Sequence, residues 1–255
     1  MTDAAAFAAE IHQRQSRRER FTLDMPQGRA GDLAFSYATQ EALWPLMAQG
    51  AAIVGWKVGL TTPRMQQMCG VAEPIVGAVL AGRVLASPAR VAAGDHVRLG
   101  AESEIALRIG APIPAGAGPE AALACVDGVC AAFELIEDWG ADYGRLSAAT
   151  LVADNAWNAG LVTGPVGPVT GSLAGRKGVL FKDGEPQDEG SSSDVLGDPA
   201  NALAWVARHL ADRGRPLEPG QWVSTGSIVP TRFCEPGQTW RFEVEGLEPV
   251  ELVVV

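Results

Sequence analysis

Past residue 50 the chain is a long succession of short strand patterns, and glycine or proline marks most of the turns between them. Asp183–Gly184 in "FKDGEP" and Pro219–Gly220 in "EPGQW" fall between apolar runs, and such pairs are typical of hairpins and tight turns. One helix pattern is clear, from Asp198 to about Arg213, with Gly214 after its end. Many short strands with few helices predict an α+β, β-rich fold whose sheets roll into a barrel-like core.

The first 50 residues carry helical patterns instead. Phe7 and Ile11 fall on one helix face, and the segment Tyr37–Gly50 ends in glycine, as helices often do. The chain has 255 residues, 47% of them hydrophobic, which is enough for a full core. We therefore expect a helical N-terminal region over residues 1–50 and a β-rich catalytic domain over residues 51–255, together forming one structural unit.

Charge and cysteine content restrict the partners and the compartment. The formal net charge is −10, which argues against nucleic acid or an anionic membrane as a partner. No apolar run approaches the ~20 residues that span a bilayer, and the N-terminus lacks the basic start and apolar block of a signal peptide. The four cysteines form no CxxC pair, which favours reduced thiols. These features predict a cytoplasmic protein.

Two glutamates one residue apart interrupt the apolar run "LGAESEIALRIG", residues 99–110. Strand alternation places Glu102 and Glu104 on one face and Ile105 on the other. Like charges on a half-buried sheet face repel each other and lose hydration, so a positive group should lie between them. Glu134 in "FELIEDW" adds a third acid on another predicted strand. The three carboxylates either form solvated faces and ordinary salt bridges or converge on a hard divalent cation.

Three further stretches carry polar residues between apolar ones. Lys57 in "GWKVGLT" is either a charge that protects an edge strand or a partly desolvated ammonium that binds a carboxylate or transfers a proton. Asp154 and Asn155 in "LVADNAWNAG" are typical of a turn whose side chains bond to the backbone. Thr225 in "STGSIVP" lies among small residues that suit either an anion or an ordinary turn.

Several enzyme classes lack their sequence signals. The three histidines are far apart and form no zinc motif. There is no GxSxG elbow, no P-loop, and no GxGxxG following a strand. Hydrolases with a serine nucleophile and nucleotide-binding enzymes are therefore disfavoured.

The order of the motifs is more specific than any one of them. From about Tyr37 to the C-terminus the chain resembles the 2-oxopent-4-enoate hydratase and 4-oxalocrotonate decarboxylase group of the fumarylacetoacetate hydrolase superfamily. The resemblance rests on "GWKVGLT", "MQQMCGVAEPIVGAVL", "AESEIAL", "FELIEDW", "VADNA", "LGDPANALAWVARHLADRG" and "STGS", in this order.

The resemblance implies a fumarylacetoacetate hydrolase-like rolled mixed sheet, a Mg²⁺ or Mn²⁺ ion, and a 2-oxo acid or its enol as the small-molecule substrate. It implies that the metal ligands are Glu102, Glu104 and Glu134, and that Lys57 is a catalytic lysine. The substrate-binding residues implied by the matching segments are Tyr37, Gln40, Asp154, Ser193 and Thr225.

Two positions depart from the pattern of the group. An acid usually stands where this chain has Ile75, and a histidine usually stands where it has Asp198. The missing acid is associated with proton handling or water positioning. Either the neighbouring Glu73 takes that catalytic role or the reaction differs from the standard hydration.

The resemblance implies a metal-dependent hydro-lyase of aromatic-compound breakdown. Its reaction would hydrate 2-hydroxypenta-2,4-dienoate or a related 2-oxo alkenoate to a 4-hydroxy-2-oxo acid. The alternatives are a 4-oxalocrotonate-type decarboxylase, a carbon–carbon hydrolase of the superfamily, or a non-catalytic metal-binding partner subunit. Members of the group assemble, so we expect a homo-oligomer, with a related or downstream pathway enzyme as a further partner.

Overall fold

The structure is a computed structural model that describes residues 3–20 and 24–255. Its α-helices are α1 (Ala4–Ser16), α2 (Leu33–Ala48), α3 (Pro63–Cys69), α4 (Pro119–Leu123), α5 (Ala148–Ala153) and α6 (Pro199–Ala211). Its strands are β1 (Ile53–Gly59), β2 (Ile75–Leu80), β3 (Val84–Ala86), β4 (Ala89–Val91), β5 (Leu99–Ile109), β6 (Val126–Glu137), β7 (Asn158–Thr163), β8 (Lys177–Lys182), β9 (Glu185–Ser191), β10 (Trp222–Ser227), β11 (Arg232–Phe233), β12 (Thr239–Val244) and β13 (Val250–Val254).

Local signals set the helix ends at or within a few residues of the predicted positions. The Asp198 carboxylate caps α6 by accepting a hydrogen bond from the Ala200 amide at 2.8 Å, and a proline opens the first turn. The α3 helix ends at Gly70, which is left-handed with φ +74°. The α2 helix ends two residues before the predicted glycine, because Gln49 already turns left-handed with φ +47°.

The strands form two sheets, and both mix parallel and antiparallel pairs. The larger sheet has the order β2-β1-β10-β5-β6-β7-β3, with β11 paired to β5; the smaller has the order β4-β13-β12-β8-β9. The pairs β1–β10 and β3–β7 are parallel. Strands β2 and β7, from opposite ends of the larger sheet, contact each other, so the sheet rolls up. The predicted β-rich α+β fold with a rolled mixed sheet is confirmed.

The two faces of the larger sheet differ in side-chain size. One face, which we call the inner face, carries the small cluster Val79, Ala106, Cys130, Ala132 and Leu161. The opposite face carries large side chains and joins the main core. Three of these five residues, Ala106, Cys130 and Ala132, are small and leave space inside the rolled sheet, and the polar residues described below lie on this inner face.

The structure also bears on the cysteines, on membrane-spanning helices and on the domain division. The four cysteines are free thiols, and all of them lie in the described residues. Among residues 3–20 and 24–255, no helix combines the length and the apolar character needed to cross a membrane. The division into residues 1–50 and 51–255 stays a prediction, although α1 and α2 do lie in the first segment.

Candidate active site

The neighbouring strands β5 and β6 bring three carboxylates together. Their antiparallel register pairs Glu102 with Glu134 and Glu104 with Ala132, so all three acids share the inner face. Each offers one carboxylate oxygen within 4.8 Å of the others. Of the two alternatives that the sequence leaves open for these acids, the structure shows convergence, as the resemblance to the family implies.

Hydrogen-bond donors hold one oxygen of the Glu104 carboxylate. Its Oε2 atom accepts from the Ser224 hydroxyl at 2.5 Å and from the Gly226 amide at 2.8 Å. Both donors lie in β10, where a bulge shifts the register against β5 and turns the Gly226 amide inward. The other oxygen, Oε1, is buried and has no hydrogen-bond partner among the described residues.

Glu134 and Glu102 are held in a similar way. Glu134 Oε1 accepts from the Asn158 side-chain amide at 2.9 Å and lies 3.2 Å from the Lys57 ammonium nitrogen. Within the described part of the chain, its Oε2 is buried without a partner. Glu102 Oε1 accepts from the Thr231 hydroxyl at 2.6 Å. Each acid therefore has one oxygen engaged by the protein.

Burial and mutual repulsion make Glu104 and Glu134 hard to ionise without a cation. Burial raises the pKa of Glu104 well above its ordinary value, and the charges of Glu134 and Glu102 raise it further. Burial and Glu102 raise the pKa of Glu134 to about 7, although Lys57 opposes this. Unpartnered, buried carboxylate oxygens at this spacing match the oxygen ligands that hard divalent cations prefer. The residues present therefore fit a divalent metal ion.

Lys57 lies at the same centre and is only 4% exposed. It belongs to β1, which runs between β2 and β10, so the edge-strand interpretation is wrong. Burial alone lowers the pKa of an ammonium group, but the charges of Glu134, Glu102 and Glu104 outweigh it and the pKa of Lys57 is raised. Lys57 is therefore a buried cation next to three acids.

Ile75 forms the wall beside the Lys57 ammonium. Gly59 pairs with Ile75 across β1 and β2, and a Cβ at Gly59 would lie 3.3 Å from both Ile75 Cγ1 and Lys57 Nζ. Glu73 is exposed in the turn before β2, outside the buried acidic cluster. The position beside Lys57 is therefore apolar, and the catalytic role of Glu73 stays a prediction.

Tyr37 and Gln40 bind the free edge of β2 rather than the acidic cluster. The Gln40 amide donates to the Val76 carbonyl at 2.8 Å, and Tyr37, whose pKa burial raises to about 12, interacts with the backbone of the same residue. Asn155 pairs in the same way with Ala78, donating to its carbonyl and accepting from its amide. These side chains replace the neighbouring strand that an edge strand lacks.

The remaining predicted substrate residues are dispersed. The Thr225 hydroxyl is buried and donates to the Ile105 carbonyl at 2.8 Å, whereas Ser193 is exposed in the turn after β9. Asp154 is buried and accepts from the Gln15 amide at 2.5 Å. It lines a cavity of about 540 Å³ that also reaches Asn158. The substrate contacts of these residues stay predictions.

Replacing Asp154 by asparagine is expected to stabilise the protein at alkaline pH. Burial raises the pKa of Asp154 from 3.8 to about 7, so between these values the folded chain retains a proton that the unfolded chain releases. Stability is therefore lost as the pH rises from ~4 to ~7, by about 4 kcal/mol at most. Urea unfolding of Asp154→Asn should show a gain that is larger at pH 8 than at pH 5 by roughly 2–3 kcal/mol. Equal gains at both pH values would contradict this account.

Sequence reasoning missed the three side chains that hold the acids, namely Ser224, Thr231 and Asn158. Ser224 lies in the "STGS" motif, but its neighbour Thr225 was selected. The register pairs Ser224 with Ala106 and Lys57, both on the inner face, and Thr225 alternates to the other side. Strand alternation could have found Ser224 once the pairing of β10 was known.

Comparisons with known proteins find a matching family and several similar enzymes. Residues 72–255 match the family described as fumarylacetoacetate (FAA) hydrolase C-terminal. A 2-keto-4-pentenoate hydratase from Paraburkholderia phymatum is 31% identical over 249 residues, covering 96% of this chain and 95% of that protein. A 4-oxalocrotonate decarboxylase from a Pseudomonas species is 29% identical over 199 residues, covering 78% of this chain and 77% of that protein.

A solved structure matches the whole fold. It is the 4-oxalocrotonate decarboxylase from Pseudomonas putida G7 in complex with magnesium and adipate, with a TM-score of 0.88 and 25% identity. The match covers 99% of this chain and 97% of that one. The rolled mixed sheet is thus shared along nearly the full length of both chains.

Proposed function

This chain belongs to the fumarylacetoacetate hydrolase family, and on that premise we propose that it is a metal-dependent hydro-lyase acting on 2-oxo acids. The substrate is 2-hydroxypenta-2,4-dienoate or a related 2-oxo alkenoate, and the product is a 4-hydroxy-2-oxo acid. The hydratase named above supports this assignment because it aligns over nearly all of both chains. The reaction would serve the breakdown of aromatic compounds.

The observation that carries the proposal is the trio of carboxylates, of which Glu104 and Glu134 are fully buried, with Lys57 at its side. The cofactor is a divalent metal ion, and we assign Mg²⁺ or Mn²⁺ because all three protein ligands are carboxylates. Its ligands would be Glu102, Glu104 and Glu134. The formal charges of the three carboxylates, the dication and the Lys57 ammonium sum to zero. The centre can therefore accept a single substrate carboxylate without a large net charge.

When bound, the ion supplies Lewis-acid stabilisation of negative charge on the carbon-2 oxygen of the substrate. Lys57, kept as an ammonium by the neighbouring acids, would donate its proton to carbon 5 and regain one from the dienol hydroxyl, which gives an alkene conjugated to the ketone. Water then adds across that alkene, with its oxygen on carbon 4 and its hydrogen on carbon 3. The buried position of Lys57 excludes bulk water from this transfer.

The wall beside Lys57 favours an uncharged substrate end. Gly59 and Ile75 lie beside the ammonium, and an apolar surface there suits a hydrocarbon chain better than a second carboxylate. A 4-oxalocrotonate-type decarboxylase is the second candidate, favoured by the fold match over nearly the full chain. Both reactions place negative charge on the carbon-2 oxygen, so this feature does not distinguish them. The two reactions differ instead in whether the far end of the substrate carries a second carboxylate.

An ultraviolet assay tests the assignment directly. We expect the chain, stripped of metal by a chelator, to consume 2-hydroxypenta-2,4-dienoate only after Mg²⁺ or Mn²⁺ is restored, and to form the 4-hydroxy-2-oxo acid. A longer diacid analogue is the comparison substrate, with carbon dioxide release measured in parallel. Turnover of the diacid alone with carbon dioxide release would favour the decarboxylase, and full activity in the chelator would refute the metal centre.

Two further properties belong to the proposal. We propose a homo-oligomer that associates with a related or downstream pathway enzyme, since members of the resembled group assemble. A cytoplasmic location accords with the four free thiols.

A further inference from the structure

In all three acids, hydrogen-bond donors of the protein hold one carboxylate oxygen. In each, a protein donor engages one carboxylate oxygen: Ser224 and Gly226 on Glu104, Asn158 on Glu134, and Thr231 on Glu102. In the two fully buried acids the opposite oxygen has no partner among the described residues. A carboxylate held by one oxygen cannot rotate freely, so the direction of its second oxygen is fixed.

The donors to Glu104 sit on backbone that leaves them little freedom. Ser224 is fully buried on β10. Gly226 has φ +120°, and a Cβ there would lie 2.5 Å from Thr61 Oγ1, so only glycine brings its amide this close to Glu104. The regular pairing of β10 with β5 is interrupted by a bulge between Ser224 and Ser227. This bulge turns both donors toward the same oxygen of Glu104.

The donor to Glu134 is positioned by an unusual turn. Asn155, Ala156 and Trp157 have φ of +51°, +48° and +60°, a left-handed run that costs free energy at non-glycine residues. It ends at Asn158, the first residue of β7, whose amide reaches Glu134 at 2.9 Å. The turn is held in place by the Asn155 side chain on the edge of β2.

We propose that Ser224, Thr231 and Asn158 are positioning residues that present a single oxygen of each acid to the divalent ion. The inference rests on the proposed metal centre and extends it, because it assigns roles to residues that do not themselves reach the ion. One oxygen from each of three acids fills half of an octahedral ion, which leaves positions for substrate and water. Without the donors, each carboxylate can rotate in the metal-free protein. Fixing it on metal binding then costs conformational entropy, which weakens the binding.

Metal titration calorimetry on the full, chelator-stripped chain tests this with Mn²⁺ as the probe. We expect Ser224→Ala, Thr231→Val and Asn158→Ala each to weaken Mn²⁺ binding by roughly 10–100-fold, the scale for partners of metal-ligating groups. Thr231→Ser keeps the hydroxyl and should restore the wild-type Kd to within about threefold. The electron paramagnetic resonance spectrum of bound Mn²⁺ should also change in the three weakened variants.

Ser103→Ala is the matched control. Ser103 lies between Glu102 and Glu104 on β5, is buried, and points to the opposite face with a hydroxyl that lacks a partner in the described region. Its variant should bind Mn²⁺ as the wild type does. Should it weaken binding as much as Ser224→Ala, or should all three donor variants bind normally, the inference is overturned.

The test separates this inference from the proposed function. If the wild-type chain binds no divalent ion, the metal centre itself fails. If the wild type binds and the donor variants bind equally well, only the positioning role fails. Circular dichroism identifies any variant that does not fold. If the variants at the buried acids fail to fold, the positioning role is still tested by comparing Thr231→Val with Thr231→Ser, because Glu102 is partly exposed.

Discussion

Replacing Glu104 by glutamine is expected to abolish both metal binding and metal-dependent turnover while the fold stays intact. Glutamine is nearly isosteric and can still accept hydrogen bonds from Ser224 and Gly226, which hold Glu104 Oε2. It lacks the negative charge that a hard dication requires. A Lewis acid contributes several kcal/mol to the transition state, so its loss should lower the rate by about 10³ or more.

The same variant should be more stable than the wild type when no metal is present. Burial and the charges of Glu134 and Glu102 raise the pKa of Glu104, so ionised Glu104 destabilises the metal-free folded state. A neutral side chain removes this repulsion. In a chelator at pH 8 we expect a higher Tm for Glu104→Gln, whereas added Mn²⁺ should stabilise the wild type alone.

Glu185→Gln is the control for this prediction, because Glu185 is an exposed acid at the start of β9. It should leave metal binding, turnover and Tm unchanged. Wild-type turnover by Glu104→Gln, or a Mn²⁺-induced rise in its Tm equal to that of the wild type, would remove Glu104 from the metal centre.

Strand alternation was sufficient to place Glu102 and Glu104 on one face, because side-chain direction in a strand depends only on position. The meeting with Glu134 depends on the β5–β6 register, which pairs Glu102 with Glu134. Register is set by turns and by the buried face together, and a two-residue slip would have separated the acids. The convergence was predictable from the motif order but not from the spacing of the acids.

The position of Lys57 beside the acids depends on long-range strand pairing, although the resemblance to the family already implies its catalytic role. Lys57 reaches the centre because β1 pairs in parallel with β10, where it lies opposite Ser224, and no local pattern encodes a partner so distant in the chain. The resemblance implies that Tyr37 and Gln40 contact substrate, which stays a prediction; in the structure both interact with the backbone of Val76 in β2. An amphipathic helix pattern identifies a buried face but not the strand that it covers.

The Ile75 position shows how a single residue changes the chemistry that a centre can perform. An acid beside Lys57 would share its proton and orient water, whereas Ile75 does neither. Glu134 is the carboxylate in contact with the ammonium, at 3.2 Å, and it is also a proposed ligand. In the proposed mechanism, proton transfer therefore depends on Lys57 itself more than it would in a centre with a separate acid.

Replacing Lys57 by methionine is therefore expected to lower kcat by roughly 10²–10⁴, the scale for a proton-transferring group. Methionine is close to lysine in length and fits a buried position without a charge. The Mn²⁺ affinity should stay within about tenfold, since Asn158 still holds Glu134 Oε1 and loss of the ammonium removes a repulsion. Turnover would then be lost while the metal remains bound.

Two companion variants complete the experiment. Lys57→Arg keeps the positive charge but does not release a proton near neutral pH, so it should bind Mn²⁺ and remain slow. Lys177→Met removes an exposed lysine that pairs with Glu189 on the surface and should leave kcat unchanged. A loss of only about twofold in Lys57→Met, far below the scale of proton-transfer catalysis, would return Lys57 to a structural role as the counter-ion of Glu134. An equal loss of Mn²⁺ binding and turnover would instead make it part of the metal site.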